Sequence, residues 1–295
     1  MEIGLHVPQV GPRATSEHVT TFAQAADAAG FDGLWVFDHV VLQKEQQSKY
    51  PYSADGTIGF PPSMNFLEPL TQLTYLAAVT ERIQLGTSVL VLPMRQPVLH
   101  AKIMATLDFL SGGRFILGAG VGWWKQEFEV LSTPFERRGK RMDECLHLMK
   151  ALWTDEWVNF QGEFYEAVDW TCNPKPARPI PVWLGGESRQ QMERIGKYAD
   201  GWLATSASLA TLREDFEVAQ HAAEKAGRDP AALQLAIEGG FTLSDRDGNE
   251  AAVERLEQLK ELGVAHAIGV VHPRAADPGA VMAAFASEHL GALRG

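Results

Sequence analysis

Apolar positions recur along this chain with two spacings, one helical and one continuous, and the two take turns. Between 17 and 29, Val19, Phe22, Ala23 and Ala26 fall on one face, the pattern of an amphipathic helix. Gly30 follows, where a left-handed helix end suits glycine. Leu34-Trp35-Val36-Phe37 then runs apolar without alternation, which predicts a strand buried on both faces. The same sequence of helix, break and strand returns at Thr80–Leu92 (strand Ile83–Val91) and Leu110–Gly120 (strand Arg114–Ala119). It returns again at Tyr198–Thr205 (strand Trp202–Ala204) and Leu262–Val271 (strand His266–Val271). The opening segment Ile3–Pro8, Val182-Trp183-Leu184 and Leu235–Phe241 complete eight strands.

The intervening helices carry their own signals. Met142, Cys145, Leu146, Met149 and Trp153 form one stripe, and Val253, Leu256, Leu259 and Leu262 another; both read as core packing. Asp229-Pro230 and Asp277-Pro278 each set an N-cap acid before a first-turn proline and so predict helix starts. Two stretches break the alternation. Val40–Phe66 is long, polar and rich in Tyr, Pro and Gly, the marks of a lid or binding loop. Trp157–Ala167 reads as a hairpin turning at Gln161-Gly162.

Eight apolar strands alternating with helices predict a parallel (β/α)8 TIM barrel over residues 1–295, a single domain with insertions at its C-terminal face. An open doubly wound sheet is the competitor. It is disfavoured because Gly118-Ala119-Gly120-Val121-Gly122-Trp123 places Trp where a dinucleotide fingerprint needs its third glycine.

Composition narrows the partners. Among 295 residues, 26 Lys and Arg face 37 Asp and Glu, a formal charge of −11. That balance argues against nucleic acid or an anionic membrane as a partner. The two cysteines, Cys145 and Cys172, cannot build a disulfide framework. No CxxC or HExxH spacing occurs, so no metal site is expected. Without a leader pattern before the first apolar segment, or a run of about 18 apolar residues, we expect a cytoplasmic protein with no membrane span.

In a barrel of this kind, chemistry sits at strand C-terminal ends. Those ends offer Asp38-His39, Ser88-Val89, Gly118–Gly122 followed by Trp123-Trp124, Gly185-Gly186, and Thr205-Ser206. Three carboxylates for Mg²⁺, a strand-borne Schiff-base lysine and a GxSxG elbow are all missing. What remains suits a planar organic cofactor: glycines admit backbone close to it, hydroxyls and N–H groups hold phosphate, and aromatics wall the ring.

These residues also resemble a known family. Asp38-His39 after Trp35-Val36-Phe37, Ile83–Val89, Gly112–Trp123, Phe135–Gly139 and Ala199–Trp202 together resemble the bacterial luciferase-like monooxygenase superfamily over nearly the whole chain. The Gly122–Lys125 stretch most resembles the branch that uses the deazaflavin coenzyme F420. The resemblance implies that His39 lies by the ring and the substrate and handles a proton, with Asp38 tuning or orienting it. It implies a non-proline cis peptide at Ser88–Val89 backing the ring. Ser88, Val89, Gly120, Gly122, Gly185, Gly186, Thr205 and Ser206 are then the cofactor-binding residues, the last four at the phosphate. Trp123 stands where some deazaflavin dehydrogenases have a glutamate, and Trp cannot exchange protons. With His6 and Trp124 it is read as lining a pocket for a small-molecule substrate, though Trp124 and His6 also fit as core residues. Arg137, Arg138, Lys140 and Arg141 are either a solvated face or an attraction for an acidic cofactor tail. The expected activity is hydride transfer between coenzyme F420 and an organic substrate. The alternatives are an FMN-dependent monooxygenase using O₂ and a flavin-sequestering protein without turnover. A homodimer is implied by the resemblance alone.

Overall fold

A computed structural model describes residues 1–53, 55–205, 209–245 and 249–294. The strands are β1 (Glu2–His6), β2 (Gly33–Val36), β3 (Gln84–Thr87), β4 (Leu90–Val91) and β5 (Phe115–Gly120). After them come the hairpin strands β6 (Val158–Gln161) and β7 (Glu166–Trp170), then β8 (Val182–Gly185), β9 (Gly201–Thr205), β10 (Gln234–Leu243) and β11 (His266–Val271). Apart from the hairpin, they pair in parallel in the order β3-β2-β1-β11-β10-β9-β8-β5, and β5 returns to β3. The sheet is a closed eight-stranded barrel in which β3 and β4 are two pieces of one strand.

The predicted continuous strand Ile83–Val91 is thus broken. Leu85 lies opposite Phe115, thirty positions on, whereas Leu90 lies opposite Ala119, twenty-nine on. One extra residue is taken up at the break, as in a bulge, and the Ser88–Val89 peptide there is cis.

Strand side chains fill the barrel. Trp35 and Trp183 stack at 5.3 Å and, with Ile116, Leu203, Ala236 and Ile268, form a cluster separate from the outer core. Room for Trp35 comes from glycines on three adjacent strands. A Cβ on Gly4, Gly33 or Gly86 would lie 2.5, 2.6 or 2.2 Å from its indole. The outer core lies between the strands and α1 (Ser16–Ala29), α2 (Pro69–Val79), α3 (Pro97–Ser111), α5 (Arg138–Thr154), α6 (Arg189–Tyr198), α7 (Leu209–Lys225), α8 (Glu250–Glu261) and α9 (Pro278–Phe285), whereas α4 (Lys125–Val130) packs Phe128 with Val91 and Met94 in a small cluster of its own. Among the described residues no helix is long and apolar enough to cross a membrane.

Local signals explain most boundaries. Thr15 accepts a hydrogen bond from the His18 amide to start α1, and Gly30 ends it at φ 87°. Asp277 accepts from the Ala280 amide to start α9. Asp229-Pro230 departs from expectation: it opens only a 3₁₀ turn, Pro230–Ala232, because β10 begins at Gln234. The hairpin follows α5 rather than a strand, and its first strand packs against that helix. Glu144 of α5 accepts from the amides of Glu163 and Phe164 at the hairpin tip, both at 2.8 Å.

Candidate active site

Asp38 and His39 follow the C-terminal end of β2, yet they face different partners. The Asp38 carboxylate is buried; it accepts from the Val91 amide at 2.8 Å and from two nitrogens of Arg95, at 2.6 and 3.2 Å. Burial pushes its pKa above the usual range, against the pull of Arg95. Asp38 therefore ties β2 to the segment after β4 and makes no hydrogen bond to the imidazole. That bond comes from Glu127 on α4, whose Oε2 lies 2.9 Å from His39 Nδ1. Glu127 Oε1 accepts from the amides of Val40 and Val41, at 2.6 and 3.3 Å.

Among the described residues Nε2 of His39 has no hydrogen-bond partner, and three aromatic rings meet the imidazole edge to face. Phe66, Trp123 and Trp124 stand at centroid distances of 5.7, 6.0 and 5.4 Å. Trp124 is 2% exposed and stacks under Trp123 at 5.1 Å. It is thus the back of the wall, whereas half-buried Trp123 is its surface. Tyr50 from the Val40–Phe66 segment packs on Trp123 at 5.2 Å and on Tyr52 at 5.6 Å.

Beyond the bulge, Val89 packs onto the barrel-interior cluster. A Cβ on Gly120 would come within 2.5 Å of one Val89 methyl, and one on Gly185 within 2.8 Å of the other. Two of the expected cofactor-binding glycines therefore make space for Val89. Among the described residues Ser88 Oγ, buried beside it, has no hydrogen-bond partner. Gly122 has φ +79°, and a Cβ there would strike Val91 and Phe128; its carbonyl accepts from Arg138 at 2.9 Å.

Gly186, at φ +110°, leads through Glu187 to Ser188, which caps α6 by accepting from the Gln191 amide. Helix N-termini carry unpaired amides and favour anions. Thr205 reaches this end of the barrel too, and its hydroxyl donates to the Glu187 carboxylate. Ser206 lies outside the described residues. Register sets Thr205 beside Glu238 of β10, and Glu238 stands 3.5 Å from Nε2 of His6. Tyr50 and Tyr52 of the Val40–Phe66 segment feel the same carboxylates: burial and then Glu238 push the Tyr50 hydroxyl pKa up, and burial followed by Glu187 does so for Tyr52.

The basic run is engaged with protein. Arg137 pairs with Glu163, Arg138 lies 3.9 Å over the Phe135 ring, and Arg141 donates to the Pro134 carbonyl. Among the described residues Cys145 and Cys172 are buried free thiols.

Sequence reasoning missed Glu127 and Arg95. The signal for Glu127 is its position between Trp124 and Phe128, both buried, so that an acid shares the inward face of a short helix. Arg95 gave no signal beyond being a lone cation before Pro97.

Comparison with known proteins fits this arrangement. The family described as Luciferase-like monooxygenase matches residues 2–289. An uncharacterized protein of Mycobacterium tuberculosis is 35% identical over 236 residues, 80% of this chain and 79% of the relative. An F420-dependent glucose-6-phosphate dehydrogenase of Amycolatopsis mediterranei is 30% identical over 249 residues, 82% of this chain and 68% of the relative. The solved coenzyme F420-dependent tetrahydromethanopterin reductase of Methanopyrus kandleri shares the fold, with TM-score 0.76 at 17% identity and 99% of each chain covered. The chain belongs to the luciferase-like monooxygenase family of oxidoreductases.

Proposed function

We propose that the protein is a two-electron oxidoreductase that binds coenzyme F420 at the C-terminal rim of its barrel and acts on a small organic substrate. The carrying observation is the unpartnered Nε2 of His39 at the strand ends, held by a buried carboxylate and walled by Phe66, Trp123 and Trp124. The residues fit a flat ring with a phosphate tail. Val89, backed by Gly120 and Gly185, offers an apolar bed, and Ser88 Oγ lacks a partner next to it. The start of α6 after Gly185-Gly186, together with Thr205, suits the phosphate. Glu187 opposes it, so its hydrogen bond to Thr205 has to open on binding.

When bound, the deazaflavin supplies or accepts a hydride. The protein's share is to take up or give back the proton at His39 Nε2, which faces the site without a partner among the described residues. The Val40–Phe66 segment covers the site and excludes water. Asp38 and Arg95 hold the strand ends in place, and Trp123 presents an aromatic surface to substrate. The 30% identity to an F420-dependent dehydrogenase supports the deazaflavin. An FMN-dependent monooxygenase is the second reading, favoured by the family description. Two copies pairing through barrel helices would cover Leu99, Phe109 and Leu110, exposed on α3.

Absorbance titration of the protein with F420 and with FMN tests this reading. Tighter binding of F420, with no O₂ uptake in the presence of substrate, is expected. Preference for FMN with substrate-dependent O₂ uptake overturns it.

A further inference from the structure

Three successive contacts join the long segment after β2 to the short stretch that opens α4. At its root, the Val40 and Val41 amides donate to Glu127 Oε1. Further along, Ser48 Oγ donates to Gln126 Oε1 at 2.8 Å. Tyr50 then packs on Trp123. The other oxygen of that first carboxylate holds the His39 imidazole. The Glu127 side chain is only 3% exposed, so water offers no substitute for either bond.

We propose that Glu127 is a positioning residue that sets the orientation of His39 and the anchoring of the Val40–Phe66 lid as one unit. A carboxylate at Nδ1 accepts the ring proton, so the neutral imidazole carries Nδ1–H and turns a bare Nε2 toward the site. The second oxygen gathers the two amides that begin the lid. Neither bond can be remade by a side chain with only one acceptor without giving up the other. An amide at this position keeps the volume, supplies one acceptor, and faces the second set of donors with an NH₂ group. Loosening the root of the lid and freeing the ring to change tautomer are then one event.

This inference deepens the reading of His39 as the proton-handling group, and its test is built to fail separately from that reading. ¹⁵N NMR of histidine-labelled protein, with no cofactor present, reports which His39 nitrogen carries the proton. Trypsin cleavage at Lys44 and Lys49, both exposed in the lid, reports its anchoring. Wild type is expected to show the Nδ1–H tautomer. Glu127→Gln is expected to mix the tautomers and to speed cleavage at these lysines about tenfold or more. F420-linked turnover is expected to fall about ten- to a hundredfold.

An Nε2–H tautomer in wild type overturns the proposal whether or not the variant folds. So does a folded Glu127→Gln that keeps the wild-type tautomer or the wild-type cleavage rate. If the NMR and cleavage results hold while His39→Gln turns over normally, the positioning stands and the proton role of His39 falls.

Discussion

Val89 shows how closely residues at the rim depend on one another. Its two methyls use space that Gly120 and Gly185 leave open. Gly120→Ala is expected to lower stability by about 1–3 kcal/mol, the usual penalty for overpacking, and to weaken cofactor binding. Adding Val89→Ala should restore most of the thermal stability but not the binding. If Gly120→Ala alone melts as wild type does, the packing account of that glycine is wrong. Glu187 invites the opposite experiment. Because its carboxylate faces the expected phosphate, Glu187→Gln should tighten F420 about two- to fivefold, the scale of one exposed charge, read by the same titration. His39 and the glycines were legible as a pattern at strand ends. Glu127 was not, since its partnership spans 88 positions and arises only when α4 folds against the root of the lid.

Among the elements, the hairpin separates what local pattern reveals from what it hides. Alternation and the Gln161-Gly162 turn predicted two strands, and the structure pairs Gln161 with Glu166 across them. Its packing place was not legible, because the bonds from Glu144 to the hairpin tip span 19 and 20 positions and follow no local period. Asp229-Pro230 misled for a related reason: its cap is real, but Leu233 leaves no room for a helix before β10. Glu144 holds the hairpin tip through backbone amides. Glu144→Ala should therefore raise hydrogen exchange at Phe164 and Tyr165 about tenfold, the scale of one lost charged hydrogen bond. Unchanged protection there would mean that the tip is held by Arg137 and Arg141 on Phe164 instead.

At the scale of the molecule, the barrel was legible because eight strands buried on both faces fit it and the open-sheet competitor lacks its fingerprint at Trp123. The break at Ser88–Val89 came from resemblance, as no periodicity marks it. Closure also joins the two ends of the chain, since Glu2 of β1 lies beside His266 of β11 in register and 3.0 Å away. The His266 imidazole beside the Glu2 carboxylate holds the Glu2 pKa below its usual 4.5, against the opposing effect of burial. A lowered carboxylate pKa adds stability above the unfolded value and loses it as pH falls through the folded one. Urea midpoints should thus drop below about pH 4.5, and Glu2→Gln should flatten that part of the profile; an identical profile would discount the pair. Burial pushes the Cys145 thiol up to about 11, so alkylation at pH 8 should require unfolding.

On the proposed function, the C-terminal rim of this barrel seats a flat redox ring between Val89 and the imidazole of His39. A crystal structure of the protein with F420 tests it directly. The deazaflavin ring is expected within about 4 Å of the Val89 side chain, with its reacting face open toward His39 Nε2. A ring seated elsewhere on the barrel, or turned with His39 out of reach, would contradict it.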